Sequence, residues 1–386
     1  MRTRILAYGF RPHFLLAGVS ALALVIVWAL NQVFAIPLGT AWPPLLWHAH
    51  EMLFGFITCA IGGFLLTAVP SWTGQKGYAG APLAVLSLVW LLARLLAASS
   101  RWWPPVLVAL IDLAYLPLLA GLVAAPLIRE RNRNTPFLLI LAVLWLCNVV
   151  FHWALLRQDA QLAYRALLLG IDIVLVLVTV VGGRIVPAFT SSGLRQAGVV
   201  VSNNPLLGRV AIAGMILVLV SDLLWPQQTA SGIIAAVVAL VQLLRLAQWR
   251  SLRTLRHPII WILHLAYAWL PLGLALKAVT LLTHYSFGAF WLHALTVGAL
   301  TTMIVAVMTR ASLGHTGRPL VVSPWTTTAY VLLTVAAIVR VFGAALGFDH
   351  RTQIAGSAIV WSGAFLLYLF VYAPILWGPR ADGKPG

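Results

Sequence analysis

Twelve times along this chain, about twenty residues pass with almost only apolar side chains before a Pro, Gly or charged group breaks the run. A helix rising about 1.5 Å per residue needs that length to cross the hydrocarbon of a bilayer. The pattern predicts an all-α, polytopic membrane protein with spans near 13–36, 44–70, 80–98, 104–128, 136–156, 162–187, 205–225, 229–248, 258–283, 287–312, 323–346 and 352–377. Because the breaks are short, residues 1–386 read as one twelve-helix transmembrane domain. A composition of 62% hydrophobic and 9% charged residues excludes a water-soluble globular class. The first run, Phe14 to about Ile36, is longer than the roughly 7–15 residues of a signal-peptide core and is taken as the first span.

A formal charge of +17 would point to nucleic acid in a soluble protein. Here the basic residues sort by side of the membrane. With a cytoplasmic N-terminus and alternating loops, most of the 25 Lys and Arg fall on the cytoplasmic face. The other face receives only Arg94, Arg101, Arg157, Arg165, Lys277, Arg340 and Arg351. Both termini are therefore predicted to be cytoplasmic, the bilayer is the surrounding partner, and no nucleic-acid partner is expected. Cys59 and Cys147 lie inside apolar runs, outside any disulfide framework.

An echo recurs at four-span spacing. Span 2 ends Gly62-Gly63-Phe64…Val69-Pro70-Ser71-Trp72-Thr73-Gly74, span 6 ends Gly182-Gly183-Arg184-Ile185-Val186-Pro187-Ala188-Phe189-Thr190, and span 10 ends in the Thr- and Gly-rich run 308–317. This suggests three pseudo-repeated four-helix units, against the reading that Gly, Pro and Thr merely punctuate helix ends.

The chemistry concentrates in Trp47-His48-Ala49-His50-Glu51-Met52-Leu53-Phe54-Gly55-Phe56, at the outer mouth of span 2. His152 lies about one turn below the outer end of span 5 and His293 about two turns below the outer start of span 10. Four imidazoles from three spans thus share one level, and ionisable groups at membrane depth are normally retained for function. His48 and His50 are about 200° apart on a helix, so two neighbouring sites are expected. In one, His50 meets His293 across a heme. In the other, His48 and His152 face a second metal such as copper, with Glu51 as ligand or hydrogen-bond acceptor. For any single imidazole the competing reading is a hydrogen bond to a backbone carbonyl.

His264, deep on the cytoplasmic side of span 9, suggests an inner heme or copper position or a hydrogen-bonded core histidine, and His315 can approach the same end. Asp112 and Asp172 sit well inside their spans, as proton relays or structural ion pairs, with Arg94 the expected partner of Asp112. Arg184 and Arg310, at the inner ends of spans 6 and 10, are placed to hold heme propionates or lipid headgroups, or only to satisfy the positive-inside bias. The chain has no P-loop, no Cys-x-x-Cys-His and no cysteine cluster, so a heme would be non-covalent and ATP-driven transport is unsupported.

The runs WHAHEMLFGF, GGFLLTAVPSWTG, GGRIVPAFT, HPIIWILHLAYAWLPLG and HALTVGALTTMIVAVMTRASLGHTGRPL, in this order, closely resemble the NnrS family of bacterial inner-membrane proteins. The resemblance implies a twelve-helix protein with heme b and copper, made by denitrifying and related bacteria in response to nitric oxide and linked to resistance to nitrosative stress. The histidines matching the family's motifs are His48, His50, His152, His264, His293 and His315, whereas His13 departs from them. A more distant likeness to heme–copper oxidases and nitric oxide reductases breaks down because spans 6 and 7 carry no histidine.

The function expected is binding, sequestration or turnover of nitric oxide at a membrane heme. An enzymatic version, reduction of two NO to nitrous oxide, would draw electrons from a redox partner or quinol. The alternative is a transporter or delivery protein passing copper or a small ligand along the histidines.

Overall fold

The computed structural model describes residues 4–195, 198–284 and 290–384. The expected start of the tenth span at 287, Arg2 and the two chain ends lie outside them. Twelve helices are long and apolar enough to cross a membrane: α1 Phe10–Phe34, α2 Pro44–Thr73, α3 Ala81–Ala98, α4 Pro105–Arg129, α5 Phe137–Leu156, α6 Ala160–Gly193, α7 Pro205–Leu224, α8 Thr229–Ala247, α9 Pro258–Thr283, α10 Trp291–His315, α11 Pro324–Phe342 and α12 His350–Trp377. Proline opens α2, α4, α7, α9 and α11 at a position where no backbone N–H is missed. The Asn204 side chain caps α7 and Ser323 caps α11.

The chain divides into two compact units, residues 1–170, 308–320 and 365–386 in one and residues 171–307 and 321–364 in the other. In the first unit α1 packs on α2, α3 on α4, α4 on α5, and α2 on α4. The Gly62-Gly63 pair is part of that packing. A side chain on Gly63 would begin 2.7 Å from the Phe14 ring, so only glycine lets α1 come this close to α2. In the second unit α8 packs on both α7 and α9, and α9 and α11 pack on the first half of α10. Small residues again make the contact. Helix α8 buries Gly232, Ala235 and Ala239 and exposes Ile233, Val237, Leu240 and Leu244, which is the arrangement of a helix packed on protein on one side and on lipid on the other.

Burial ranks the helices. In α2, 83% of the best apolar window is buried, against 22% in α7. The well-buried helices α2, α6, α9 and α10 hold His50, Asp172, His264 and His293.

Two helices depart from α geometry. Residues Glu51–Ile57 of α2 and Ala294–Thr301 of α10 form wide π-turns, starting directly after His50 and His293. In α10 the hydroxyls of Thr301 and Thr302 each donate to a carbonyl five residues back, that of Thr296 at 3.0 Å and of Val297 at 3.4 Å. A glycine stands five residues after each histidine, Gly55 and Gly298. Helix α6 has no such turn and is α-helical from Ala160 to Gly193, so α2 and α10 share a feature that their proposed counterpart lacks.

Candidate metal centre

Four helices of the first unit bring polar groups to one end. Helices α2 and α4 start there and α3 and α5 finish there, which places His50 and Glu51, Arg94, Asp112, and Asn148 and His152 together. All six are buried. The wide turn opening at Glu51 lets two consecutive residues of α2 serve one cluster, while the helix beyond it is re-aimed.

Asp112 is the hub. Its Oδ1 accepts from Arg94 Nη2, and its Oδ2 accepts from Asn148 Nδ2 at 2.7 Å. His152 Nε2 lies 2.9 Å and His50 Nε2 3.1 Å from that same Oδ2. Arg94 also donates through Nη1 to Glu51 Oε1 at 2.8 Å, and this oxygen lies 3.0 Å from His50 Nδ1. His50 Nε2 further faces the Asn148 amide oxygen at 3.0 Å. Both ring nitrogens of His50 therefore face oxygen acceptors. A neutral imidazole donates from one nitrogen only, so this ring is satisfied by carrying two protons or by a cation replacing one of them.

Apolar walls close the cluster. The His50 ring stacks on Phe151 at 4.5 Å, and Phe54 and Trp42 stand 5.0 Å away. Trp42 also meets His152 edge-on at 5.6 Å. Two polar atoms are left over, since Glu51 Oε2 and Arg94 Nε are buried without a hydrogen-bond partner among the described residues.

His50, Asp112 and His152 each offer one ligand atom, all within 4.8 Å of one another, and they form the one such group found among the described residues. Two imidazole nitrogens and a carboxylate oxygen suit a borderline transition ion such as copper or zinc.

The sequence-predicted residues fall as follows. The Arg94–Asp112 pair is present. It is His50, not His48, whose ring lies beside His152, with centroids 5.6 Å apart, while His48 stacks on the Trp28 indole at 4.3 Å. His293 is the half-buried residue before the wide turn of α10, in the second unit. His264 has both nitrogens at hydroxyls, Thr190 Oγ1 at 2.8 Å and Ser251 Oγ at 2.9 Å. His315 is exposed and its ring lies near Tyr8 and Phe10. Arg184 is exposed and Arg310 half-buried. Asp172 is buried in the second unit.

Sequence reasoning passed over Asn148 and Trp42. Asn148 had a readable signal, because it stands four residues before His152 in an otherwise apolar helix and so shares its face.

The family model described as NnrS protein matches residues 4–380, nearly the whole chain. No curated protein matches it.

Proposed function

We propose that this chain, which belongs to the NnrS family, is a copper- and heme-binding membrane protein of the nitric oxide response. The observation that carries the metal half of the reading is the buried His50–Asp112–His152 group. Its charge supports a cation. With neutral imidazoles, Glu51 and Asp112 oppose only Arg94, and the cluster is one positive charge short of balance. A bound ion would supply that charge and give the partnerless Glu51 Oε2 a reason to be buried.

In this reading His50 and His152 supply nitrogen donors and Asp112 an oxygen. Arg94 and Asn148 fix the Asp112 carboxylate so that it presents Oδ2 to both rings. Trp42, Phe54 and Phe151 keep bulk water out. Copper would supply one-electron chemistry there, and heme iron a ligand position for NO.

The heme half rests on His293, at the head of a wide turn like that after His50; Arg310 stands about 25 Å further along the same helix, too far to hold the propionates of a heme bound there. His264 suits an iron less well as it stands, because both its nitrogens are at hydroxyls, and His50 is taken by the copper reading.

The test is elemental analysis and optical spectroscopy of the full-length protein purified from membranes, with His152→Ala, Asp112→Asn and His293→Ala beside the parent. Copper near one per chain, lost in the first two variants, together with a heme band that shifts with NO and is lost in the third, is expected. A copper-free parent, or copper retained by both His152→Ala and Asp112→Asn, overturns the metal assignment.

A further inference from the structure

The second unit buries a guanidinium that no carboxylate answers. Arg245, in the last turn of α8, is 4% exposed. Its Nη1 donates to the Thr179 carbonyl at 2.9 Å and to the Tyr267 hydroxyl at 3.0 Å, and Tyr267 in turn donates to Gln242 Oε1 at 2.5 Å. The Trp249 ring lies 5.6 Å from the guanidinium carbon. These contacts fix the plane of the group and occupy one of its three nitrogens. Nε is buried without a partner, and Nη2 makes no hydrogen bond to any described residue.

No ion pair to Arg245 occurs among the described residues. Of the acids of the same unit, Asp222 pairs with Lys277, Asp349 caps the start of α12, and Asp172 makes no ion pair with Arg245 among the described residues. Arginine does not shed its proton in proteins, and a buried charge is retained where a counter-charge meets it. The Nε–Nη2 edge is the fork that takes both oxygens of a carboxylate or phosphate. Around it the helices are cut back to glycine. A side chain on Gly183 would begin 1.8 Å from Nη2 and 2.3 Å from the guanidinium carbon, so this glycine seats the guanidinium itself, and one on Gly208 would begin 3.4 Å from Nη2. Exposed Arg250, Arg253 and Arg256 follow within the next eleven residues and add a positive field at this end.

We propose that Arg245 anchors an oxyanion-binding site at the end of α8, in which the Nε–Nη2 edge holds a phosphate group, Tyr267 and Gln242 lock the opposite side of the guanidinium, Gly183 makes room for the guanidinium itself, and Gly208 keeps a side chain off Nη2. The phosphate comes either from an anionic phospholipid headgroup or from solution. The site is independent of the metal centre and stands or falls separately from it.

The test is thermal unfolding of the full-length protein in detergent micelles, with phosphatidylglycerol, with phosphatidylcholine, and with inorganic phosphate against chloride at matched ionic strength. Three chains are compared: the parent, Arg245→Lys, which keeps the charge and loses the fork, and Gly208→Ala, which sets a methyl against Nη2 in a tolerated contact. The parent is expected to gain several degrees with phosphatidylglycerol but not with phosphatidylcholine, and both variants to lose at least half of that gain. A gain with inorganic phosphate alone, lost likewise in the variants, assigns the site to a soluble anion. Should Arg245→Lys fail to fold, Gly208→Ala decides. A parent indifferent to both phosphate sources, or variants gaining as much as the parent, overturns the proposal, because the exposed arginines would then account for any response.

Discussion

At the scale of single residues, the six-residue cluster on α2–α5 joins two roles that mutation can pull apart. Removing Arg94 leaves Glu51 and Asp112 as uncompensated buried carboxylates, and breaking such a pair from one side costs about 3–5 kcal/mol. Arg94→Met is therefore expected to lower the unfolding temperature in detergent sharply. Adding Glu51→Gln and Asp112→Asn to Arg94→Met removes the stranded charges and is expected to recover most of the loss while metal binding stays abolished. If the triple variant is no more stable than Arg94→Met, electrostatic pairing is not what holds these helices. His48 gives the complementary test, because its ring stacks on Trp28 and stands outside the ligand group. His48→Ala is expected to keep its copper, and Asn148→Leu to weaken copper affinity about 10–100-fold, as loss of a residue that orients a ligand does; a competitive chelator titration measures both. Much of this was readable from the chain, since imidazoles and acids at membrane depth announce themselves. The pairing was not. Whether His48 or His50 meets His152 depends on a helix rotation that an all-round apolar sequence does not encode.

At the scale of elements, the same limitation explains why the spans were legible and their irregularities were not. Twelve helix positions follow from run length alone, and the described ends agree with expectation within four residues except in α6, which runs past the expected end at Pro187 to Gly193. A wide turn inserts one residue into a helix and rotates everything beyond it by about 100°. In an amphipathic helix that would break the apolar stripe, whereas in α2 and α10 there is no stripe to break. The one visible mark is the glycine five residues after His50 and after His293. In α10 that glycine has a packing reason, because a side chain on Gly298 would begin 2.4 Å from the Trp269 ring, a large and immobile neighbour. At Gly55 the nearest atom would be Arg94 Cδ at 3.2 Å, which has room to give. Gly298→Ala is therefore expected to destabilise by about 1–3 kcal/mol, and Gly55→Ala by less while disturbing the Arg94 fork and with it the metal. Thermal unfolding beside copper analysis reads both. Equal loss of stability in the two variants would mean that the wide turns, rather than their neighbours, set the cost.

At the scale of the whole molecule, the direction of insertion decides which compartment the metal centre serves, and it rests so far on the asymmetry of Lys and Arg between loops. Within the first unit the cluster lies where α2 and α4 begin and α3 and α5 end, beside the loops that carry Arg101 and Arg157. Lys76 and Arg131 occupy the loops at the opposite end of the same helices. The chain supplies a clean background for deciding between them, because Cys59 and Cys147 are both buried thiols outside any disulfide. Single cysteines at Arg101, Arg157, Lys76 and Arg131 can then be exposed to a membrane-impermeant maleimide in intact cells and in inverted vesicles. With the termini in the cytoplasm, Arg101→Cys and Arg157→Cys label in cells from which any outer barrier has been stripped, and Lys76→Cys and Arg131→Cys label only in inverted vesicles. The metal centre then opens toward the outer compartment, and an impermeant copper chelator should strip it from the outside. The reverse labelling pattern would put His50, Asp112 and His152 at the cytoplasmic face, so that copper would have to be delivered from within.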